Sequence, residues 1–281
     1  MKIQFYKAPI TNTSSRQAVN LAEVYQYITT DAAAQQHTTA LRDIIARIAT
    51  GEATEAEARA YKANHFDFVL FSGLFRSRTD AGLFVHSGLL CLDMDHLGGP
   101  EAVSTLRQKL LHDPCFPTLL LFTSPGCDGV KWVIHIDLQR CPSHHTWFLA
   151  LEQYVKERYG VAIDRKCSNL SRACFLPHDP DCYLHPALLP ASPARPTDTP
   201  ALLPASPMLP TGREPFDPVA WASRNPHQQP ATTAEPPAAA SSPVAATFQQ
   251  LTKAISRSKE ALPSASSQAA QAAAAELLPS V

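Results

Sequence analysis

The sequence has no excess of charge of either sign. Its 24 Lys and Arg residues nearly balance 25 Asp and Glu residues, so the formal net charge is −1 at pH 7, and the pI is about 6.8. Because no basic field covers the whole chain, any nucleic-acid binding must come from local patches. No apolar run approaches the roughly 20 residues of a membrane span, and no signal peptide is visible. These absences predict a cytoplasmic protein with no membrane partner.

Cysteine pairs with the spacing of a zinc knuckle are also absent. The seven cysteines are odd in number and several lie in apolar runs, which favours reduced thiols over a disulfide framework. The alternative is a zinc site with the spacing C-x6-C-x3-H-x3-C-x2-H, formed by Cys167, Cys174, His178, Cys182 and His185. Neither cysteine spacing in it matches a knuckle, and Cys174 lies inside an apolar stretch. The sequence therefore favours buried thiols.

Proline is distributed unevenly along the chain. Of the 25 prolines, 15 lie between Pro186 and Pro243, and "ALLPASP" occurs twice there, at 187–193 and 201–207. A stretch rich in Pro, Ala and Ser cannot bury a core. We therefore predict three segments: a folded domain at 1–185, a disordered linker at 186–246, and a low-complexity tail at 247–281 with one weakly amphipathic helix at 247–262.

Apolar runs predict strands, and apolar residues at helical spacing predict helices. In the middle of the chain the predicted elements are strand 88–94, helix 100–112, strand 118–124, strand 130–138, helix 143–159 and a last strand at about 172–176. Upstream, the predicted elements are strand 1–9 and helices 16–28, 38–49 and 54–64. The order β-α-β-β-α-β is that of a ferredoxin-like, or split β-α-β, core. We therefore predict an α+β fold with a ferredoxin-like core and N-terminal strand and helix additions.

Two carboxylates follow a buried apolar run at the end of strand 88–94. Asp93 and Asp95 share one face, because alternate residues of a strand point the same way. Asp164 follows another apolar pair in a later segment. Mg²⁺ or Mn²⁺ takes oxygen ligands and would remove the repulsion between such carboxylates. The pattern therefore predicts a divalent metal site.

Two cations accompany these carboxylates in the predicted site. Lys131 lies on strand 130–138 and Arg172 near the last strand, where they could supply positive charge for phosphates. A structural interpretation is open at each position. Asp95 could cap helix 100–112, Asp164 could be a loop residue, and Arg172 could form a surface ion pair.

Three stretches carry a resemblance to a known family. They are "SGLLCLDMDHL" (87–97), "FTSPGCDGVKWVIHI" (122–136) and "YGVAIDRKCSNLSRACFLPHDPDCY" (159–183). In this order they resemble the VirE-type N-terminal domain, which is placed in the archaeo-eukaryotic primase (primase-polymerase) superfamily. The resemblance covers about 61–185 and implies that the ferredoxin-like core is of the primase type.

The resemblance also implies a role for each matching residue. The acidic motifs are matched by Asp93, Asp95 and Asp164, which would hold the metals as catalytic residues. Lys131 stands where the superfamily usually carries a nucleotide-binding His. His135, four residues on and on the same predicted face, is a substitute candidate. Arg172 matches a basic position after the last acidic motif.

The function that the resemblance implies is two-metal nucleotidyl transfer, by a primase or polymerase that acts in replication of DNA or of a mobile element. The implied partners are a nucleoside triphosphate, a DNA or RNA template, and Mg²⁺ or Mn²⁺. Any helicase partner would be a separate protein, because the chain has no Gly-x4-Gly-Lys-Ser/Thr loop.

Lys131 in place of His leaves the enzymatic activity open. One alternative is a catalytically degenerate module that binds nucleic acid. Another is a glycosyltransferase-like enzyme whose Asp-x-Asp binds Mn²⁺ and a nucleotide sugar. That class needs a larger nucleotide-binding α/β domain before the Asp-x-Asp, and residues 1–87 do not supply one.

Overall fold

The computed structural model describes residues 1–14, 16–189 and 216–226. The strands in these ranges are β1 (Ile3–Tyr6), β2 (Arg16–Val19), β3 (Phe68–Leu70), β4 (Gly73–Phe75), β5 (Leu83–His86), β6 (Leu89–Met94), β7 (Leu120–Thr123), β8 (Val130–His135), β9 (Cys174–Phe175) and β10 (Tyr183–Leu184). The α-helices are α1 (Leu21–Thr30), α2 (Ala32–Ala49), α3 (Glu55–His65), α4 (Pro100–Leu111), α5 (His144–Tyr159) and α6 (Pro218–Ser223). Short 3-10 helices span Asp80–Gly82, Arg165–Ser168 and Pro186–Leu188.

The strands form two four-stranded sheets and one hairpin. The first sheet has the order β2-β1-β3-β9, the second has the order β10-β7-β8-β6, and β4 pairs with β5. The strand pairs are antiparallel. The predicted α+β class is therefore confirmed.

Alternation along β6 and β8 divides the core into two layers. Leu90, Leu92 and Met94 face the layer that holds α4 and α5, together with Trp132 of β8. Leu89 and Cys91 face the other way and pack with Val133 against residues of β1, β3 and α1. The two sheets thus lie face to face, and the inward face of β6 continues from Cys91 to Asp93.

Capping boxes determine where two of the N-terminal helices begin. The side-chain hydroxyl of Thr54 accepts a hydrogen bond from the backbone N–H of Glu57, and the carboxylate of Glu57 accepts one from the backbone N–H of Thr54. The Thr54-x-x-Glu57 pattern in the sequence predicts this capping box. Asn20 and Glu23 form a second box, so α1 begins at Leu21. The prediction of a helix from residue 16 was therefore wrong, because residues 16–19 pair with β1 as an edge strand.

The predicted β-α-β-β-α-β order is present as β6, α4, β7, β8, α5 and β9, but its last strand joins a different sheet. Cys174 and Phe175 pair with Val69 and Phe68 of β3, whereas β10 takes the edge position beside β7. A split β-α-β core has its strands in one sheet. The ferredoxin-like core is therefore not confirmed.

A compact unit runs from Met1 to Gln228, beyond the boundary at 185 that the proline distribution predicts. Within the predicted linker 186–246, the described residues 216–226 include α6, which packs against the core beside α5. Two parts of that linker, 190–215 and 227–246, lie outside the described residues. The predicted tail at 247–281, with its helix, lies outside them as well.

No helix in the described part of the chain has the length and apolar character needed to cross a membrane.

Candidate functional site

The pairing of β6 with β8 brings an acid and a base together at the end of the second sheet. Asp93 lies directly opposite Lys131 in the antiparallel register, and both side chains point between the two sheets. The Nζ atom of Lys131 contacts Oδ1 of Asp93 and lies 3.5 Å from Oδ1 of Asp95. The side chains of Lys131 and Asp93 are 8% and 13% exposed, whereas that of Asp95 is 40% exposed. The structure thus brings together three of the residues that the sequence predicts for the site.

Asp95 is held in place by the turn that precedes β8. The backbone N–H of His96 donates to Oδ1 of Asp128, over 2.9 Å, and that of Leu97 donates to the Asp128 carbonyl, over 3.0 Å. Gly129 allows the two segments to approach closely, since a Cβ there would lie 2.4 Å from Oδ1 of Asp95 and 2.7 Å from the Met94 carbonyl oxygen. Asp95 therefore faces Lys131 and does not cap α4, whose N-cap residue is Gly99.

Asp164 reaches the site through a backbone contact to β6. Its N–H donates to the carbonyl oxygen of Asp93, over 2.8 Å. Its carboxylate caps the 3-10 helix Arg165–Ser168 by accepting from the N–H of Lys166, and it accepts from Nη2 of Arg172 over 2.9 Å. The structure thus brings Asp164 and Arg172 to the site as an ion pair. This arrangement also agrees with the alternative in which Asp164 is a loop residue and Arg172 forms a surface ion pair.

Cys167 is a site residue that the sequence analysis named only as a ligand of the alternative zinc site and did not connect with Asp93 or Asp164. It lies buried in the 3-10 helix that Asp164 caps. One ligand atom each from Asp93, Asp164 and Cys167 lies within 4.8 Å of the others. Residues three apart eclipse on a 3-10 helix, so the spacing Asp164-x-x-Cys167 was the available signal. Burial, followed by repulsion from Asp93, raises the pKa of the Cys167 thiol to about 12, so the sulfur is a neutral thiol at pH 7.

Burial sets the charge balance between Asp93 and its neighbours. It raises the pKa of Asp93 to about 6, against the attraction of Lys131, and repulsion from Asp95 adds to the increase. Burial alone would lower the pKa of Lys131, but Asp93 and, more weakly, Asp95 raise it above its ordinary value. Lys131 is therefore a permanent cation, whereas Asp93 can take up a proton under mildly acidic conditions.

The carboxylates of Asp93 and Asp95 line a cavity of about 840 Å³. Its basic lining residues are Arg59, Lys62, Arg78, Lys131 and Arg172, and its acidic ones are Glu55, Asp93, Asp95 and Asp128. Burial, with repulsion from Lys131, lowers the pKa of Lys62, which places this ammonium in the electrostatic field of the site. Sequence reasoning missed Arg59, Lys62 and Arg78, because they belong to segments that only the tertiary fold brings to β6 and β8.

His135 lies away from this cavity. It shares the alternation of Lys131, but it pairs with Leu89 at the opposite end of β6 and is exposed. Four residues of strand span about 13 Å, which is too far for one phosphate group. Its predicted role as a substitute for the nucleotide-binding His is therefore not supported by its position. A shared strand face was the wrong criterion, because it ignores position along the strand.

The zinc alternative is not reflected in the arrangement of its residues. Cys167 lies near Asp93 and Asp164. Cys174 belongs to β9 of the first sheet, whereas Cys182 directly precedes β10 of the second sheet. All seven cysteines are free thiols.

The arrangement combines two kinds of chemistry at one cavity, which Asp93 lines and beside which Asp164 lies close to Asp93. Carboxylates from two separate segments can hold a hard divalent cation, and ammonium and guanidinium groups around them can neutralise an anionic ligand such as a polyphosphate. Lys131 introduces competition, because it already neutralises the carboxylates that a metal would need.

Comparison with known proteins gives one finding. The family model for the BT4734-like, N-terminal domain matches residues 61–184, a range that contains Asp93, Asp95, Lys131, Asp164 and Arg172. No curated protein and no solved structure matches the chain significantly. The assignment to the VirE-type family was therefore wrong, and so was the expectation of a primase in DNA replication, which depended on it. Over residues 61–184, the chain is similar to the BT4734-like, N-terminal domain.

Proposed function

We propose that the cavity between β6, β8 and α3 binds a nucleoside triphosphate together with a divalent cation, and that its chemistry is nucleotidyl transfer. The observation that carries this proposal is the meeting of Asp93 and Asp164 beside a cavity of about 840 Å³ lined by several cations. That volume falls in the range of small-molecule pockets. A nucleotide needs both a metal and positive charge for its phosphates.

The side chains fit a divalent cation. Asp93 and Asp164 would hold it, because their carboxylates approach each other and hard cations prefer oxygen ligands. Asp95, whose carboxylate is more exposed, is available to the same ion or to a water bound to it. When bound, the cation would neutralise phosphate charge and polarise the reacting phosphoryl group. Mg²⁺ or Mn²⁺ suits this group better than a thiophilic metal does, since two of its three side chains are carboxylates.

Three cations of the chain would bind the phosphates. Lys62 and Lys131 both line the cavity, and repulsion from Lys131 contributes to the lowered pKa of Lys62, so a bound anion would relieve that repulsion. Arg172 is 40% exposed and holds Asp164 at 2.9 Å, which leaves other guanidinium donors for a ligand. The role of these residues is to orient the triphosphate and to stabilise its charge during transfer.

A second candidate function is favoured by the position of Lys131. Because its ammonium group already contacts Asp93 and lies 3.5 Å from Asp95, it can replace the metal as the neutralising charge. The cavity would then bind phosphates of nucleic acid through Arg59, Lys62 and Arg78 without a cation. In this case the chain is a nucleic-acid-binding module with no transfer activity.

Calorimetric titration of the purified protein with ATP and with a single-stranded oligonucleotide, each in Mn²⁺ and separately in EDTA, tests these candidates. The first predicts ATP binding in Mn²⁺ that is lost in EDTA, and the second predicts oligonucleotide binding that EDTA does not change. Under both, Lys62→Ala should weaken binding roughly tenfold, the effect of losing one charged contact. Lys109→Ala, an exposed lysine on α4, is the matched control. No binding under either condition, or equal affinity in both variants, would contradict both candidates.

Transfer itself needs a separate measurement. The first candidate predicts Mn²⁺-dependent addition of labelled nucleotide to the 3′-hydroxyl of a DNA or RNA primer, and Asp93→Asn should abolish it. Metal-dependent ATP binding without any transfer to either type of primer would limit the function to nucleotide binding.

A further inference from the structure

A short segment beyond residue 215 packs against the helix layer on the far side of the second sheet. Phe216 and Ala222 are almost fully buried among residues of α5 and its neighbours. The Phe216 ring stacks on Trp147 at 6.0 Å between centroids and contacts Phe116 and Tyr154 edge to face at 4.7 and 5.5 Å. Aromatic contacts of this kind add to the burial of apolar area.

Polar contacts fix both ends of the segment. Asp217 caps α6 by accepting from the N–H groups of Val219 and Ala220. At the other end, Asn225 is only 3% exposed, and its Nδ2 donates to the Leu149 carbonyl over 3.1 Å and to Oε2 of Glu152 over 2.7 Å. A buried amide that makes two hydrogen bonds specifies one docked register.

Glu152 connects this segment to the candidate site. Its carboxylate accepts from Nε and Nη2 of Arg165 over 2.8 and 3.3 Å. Arg165 begins the 3-10 helix that Asp164 caps and that carries Cys167. A continuous set of hydrogen bonds thus runs from Asn225 through Glu152 and Arg165 to the helix beside Asp93.

We propose that residues 216–225 form an intramolecular docking peptide for α5, and that Asn225 acts as a positioning residue for the 3-10 helix of the candidate site. The segment follows 26 residues of sequence, 190–215, that contain eight prolines. It binds α5 as a unit, through contacts that lie within 216–225. The docked form orients Glu152 toward Arg165 and so holds Asp164 and Cys167 against β6.

Cleavage of the intact protein tests the docking. A specific protease site is placed between residues 195 and 205 of the full chain, the folded protein is cut, and the products are separated by size exclusion. The two fragments should co-elute from the wild type. They should separate in the Phe216→Ala variant and should stay together in the matched control Val219→Ala, at a residue that is 57% exposed. Separation of the wild-type fragments would overturn the proposal.

Hydrogen exchange of the uncut protein tests the positioning role and does not depend on activity. Asn225→Ala should accelerate amide exchange in residues 165–168 roughly tenfold, the effect of losing one hydrogen bond to a carboxylate. Exchange in β7 should not change. In an Arg165→Ala background, Asn225→Ala should have no further effect on these amides, because the connection is already broken. Unchanged exchange at 165–168, or equal acceleration in both backgrounds, would overturn the positioning role.

Discussion

Lys131 lies directly opposite Asp93 across the β6–β8 pair and forms a buried ion pair with it, while Asp95 lies 3.5 Å from the same Nζ atom. The relationship is asymmetric. Lys131 has two acidic partners, whereas the ion pair that the described residues provide for Asp93 is with Lys131. Removing the base and removing the acid should therefore have different consequences for stability.

Lys131→Met should be strongly destabilising near neutral pH. It leaves Asp93 buried and charged beside Asp95, and an uncompensated buried charge costs about 3–5 kcal/mol. The loss should shrink at about pH 5, because Lys131 lowers the pKa of Asp93, so without Lys131 this buried carboxyl takes up a proton even more readily than in the wild type. Urea denaturation at the two pH values measures both effects. Lys109→Met, at an exposed position of α4, is the control. Equal stability of the two variants at both pH values would contradict the account.

Asp93→Asn should leave the free energy of unfolding near pH 8 undiminished. The substitution removes a buried carboxylate whose pKa is raised by burial and by Asp95, and Lys131 keeps Asp95 as a partner. The sequence suggests the same outcome, because one of two like charges is removed. Destabilisation by more than about 2 kcal/mol would show that the ion pair outweighs the burial penalty.

The difference in free energy of unfolding between the wild type and Asp93→Asn should change with pH in one direction. The folded-state pKa of Asp93 is about 6, above the value of 3.8 for an unperturbed group, so the folded state binds the extra proton between these values. The contribution of Asp93 to stability is present below about pH 4 and is lost as pH rises through 6. The stability of wild type relative to Asp93→Asn should fall by about 3 kcal/mol from pH 4 to pH 8. A constant or rising difference would contradict the raised pKa.

Gly129→Ala should disturb the site from the turn before β8. The added Cβ would lie 2.7 Å from the Met94 carbonyl oxygen and 2.4 Å from Oδ1 of Asp95, so backbone must shift at a cost of about 1–3 kcal/mol. Gly126→Ala, in the same turn, meets only a side-chain atom of Ile45 at 3.4 Å and should change stability by less than about 0.5 kcal/mol. Thermal unfolding of the two variants decides the point. Equal melting temperatures would show that Asp95 is not held by close contact with this turn.

Asp164→Asn should separate function from stability. Its ion pair with Arg172 is partly exposed, and pairs of this kind contribute at most about 1 kcal/mol. The metal-dependent part of ATP binding should nevertheless be lost, because Asp164 is one of the two carboxylates proposed to hold the cation. Calorimetric titration with ATP in Mn²⁺ and urea denaturation supply the two readouts. Wild-type affinity in Mn²⁺ would exclude Asp164 from the site.

Much of the site could be predicted because strand alternation is a local property. Asp93, Asp95 and Lys131 follow from apolar runs and from the pairing of neighbouring strands. Cys167 could not be placed by the same reasoning, since its position depends on the backbone contact between Asp164 and β6. Lys62 comes from α3 in another layer, and no local pattern connects α3 with β8.

Three elements of the fold differ from the sequence prediction: the start of α1, the presence of α6 and the sheet that β9 joins. The Asn20-x-x-Glu23 capping signal in the sequence was enough to start α1 at Leu21. Asp217 and Pro218 form an N-cap and first-turn signal for α6, which the surrounding prolines concealed. The partner of β9 was not predictable, because a two-residue strand carries too little pattern to choose between two sheets.

The most direct test of the central claim is diffraction from crystals of the protein grown with Mn²⁺ and a non-hydrolysable nucleoside triphosphate, recorded at a wavelength where manganese scatters anomalously. If Asp93 and Asp164 hold the cation, an anomalous peak will lie within about 2.3 Å of carboxylate oxygens of both residues, with the triphosphate extending toward Lys62. Phosphates bound among the basic residues with no peak at the carboxylates would favour the metal-independent candidate. An empty cavity, with Lys131 still against Asp93, would contradict the account.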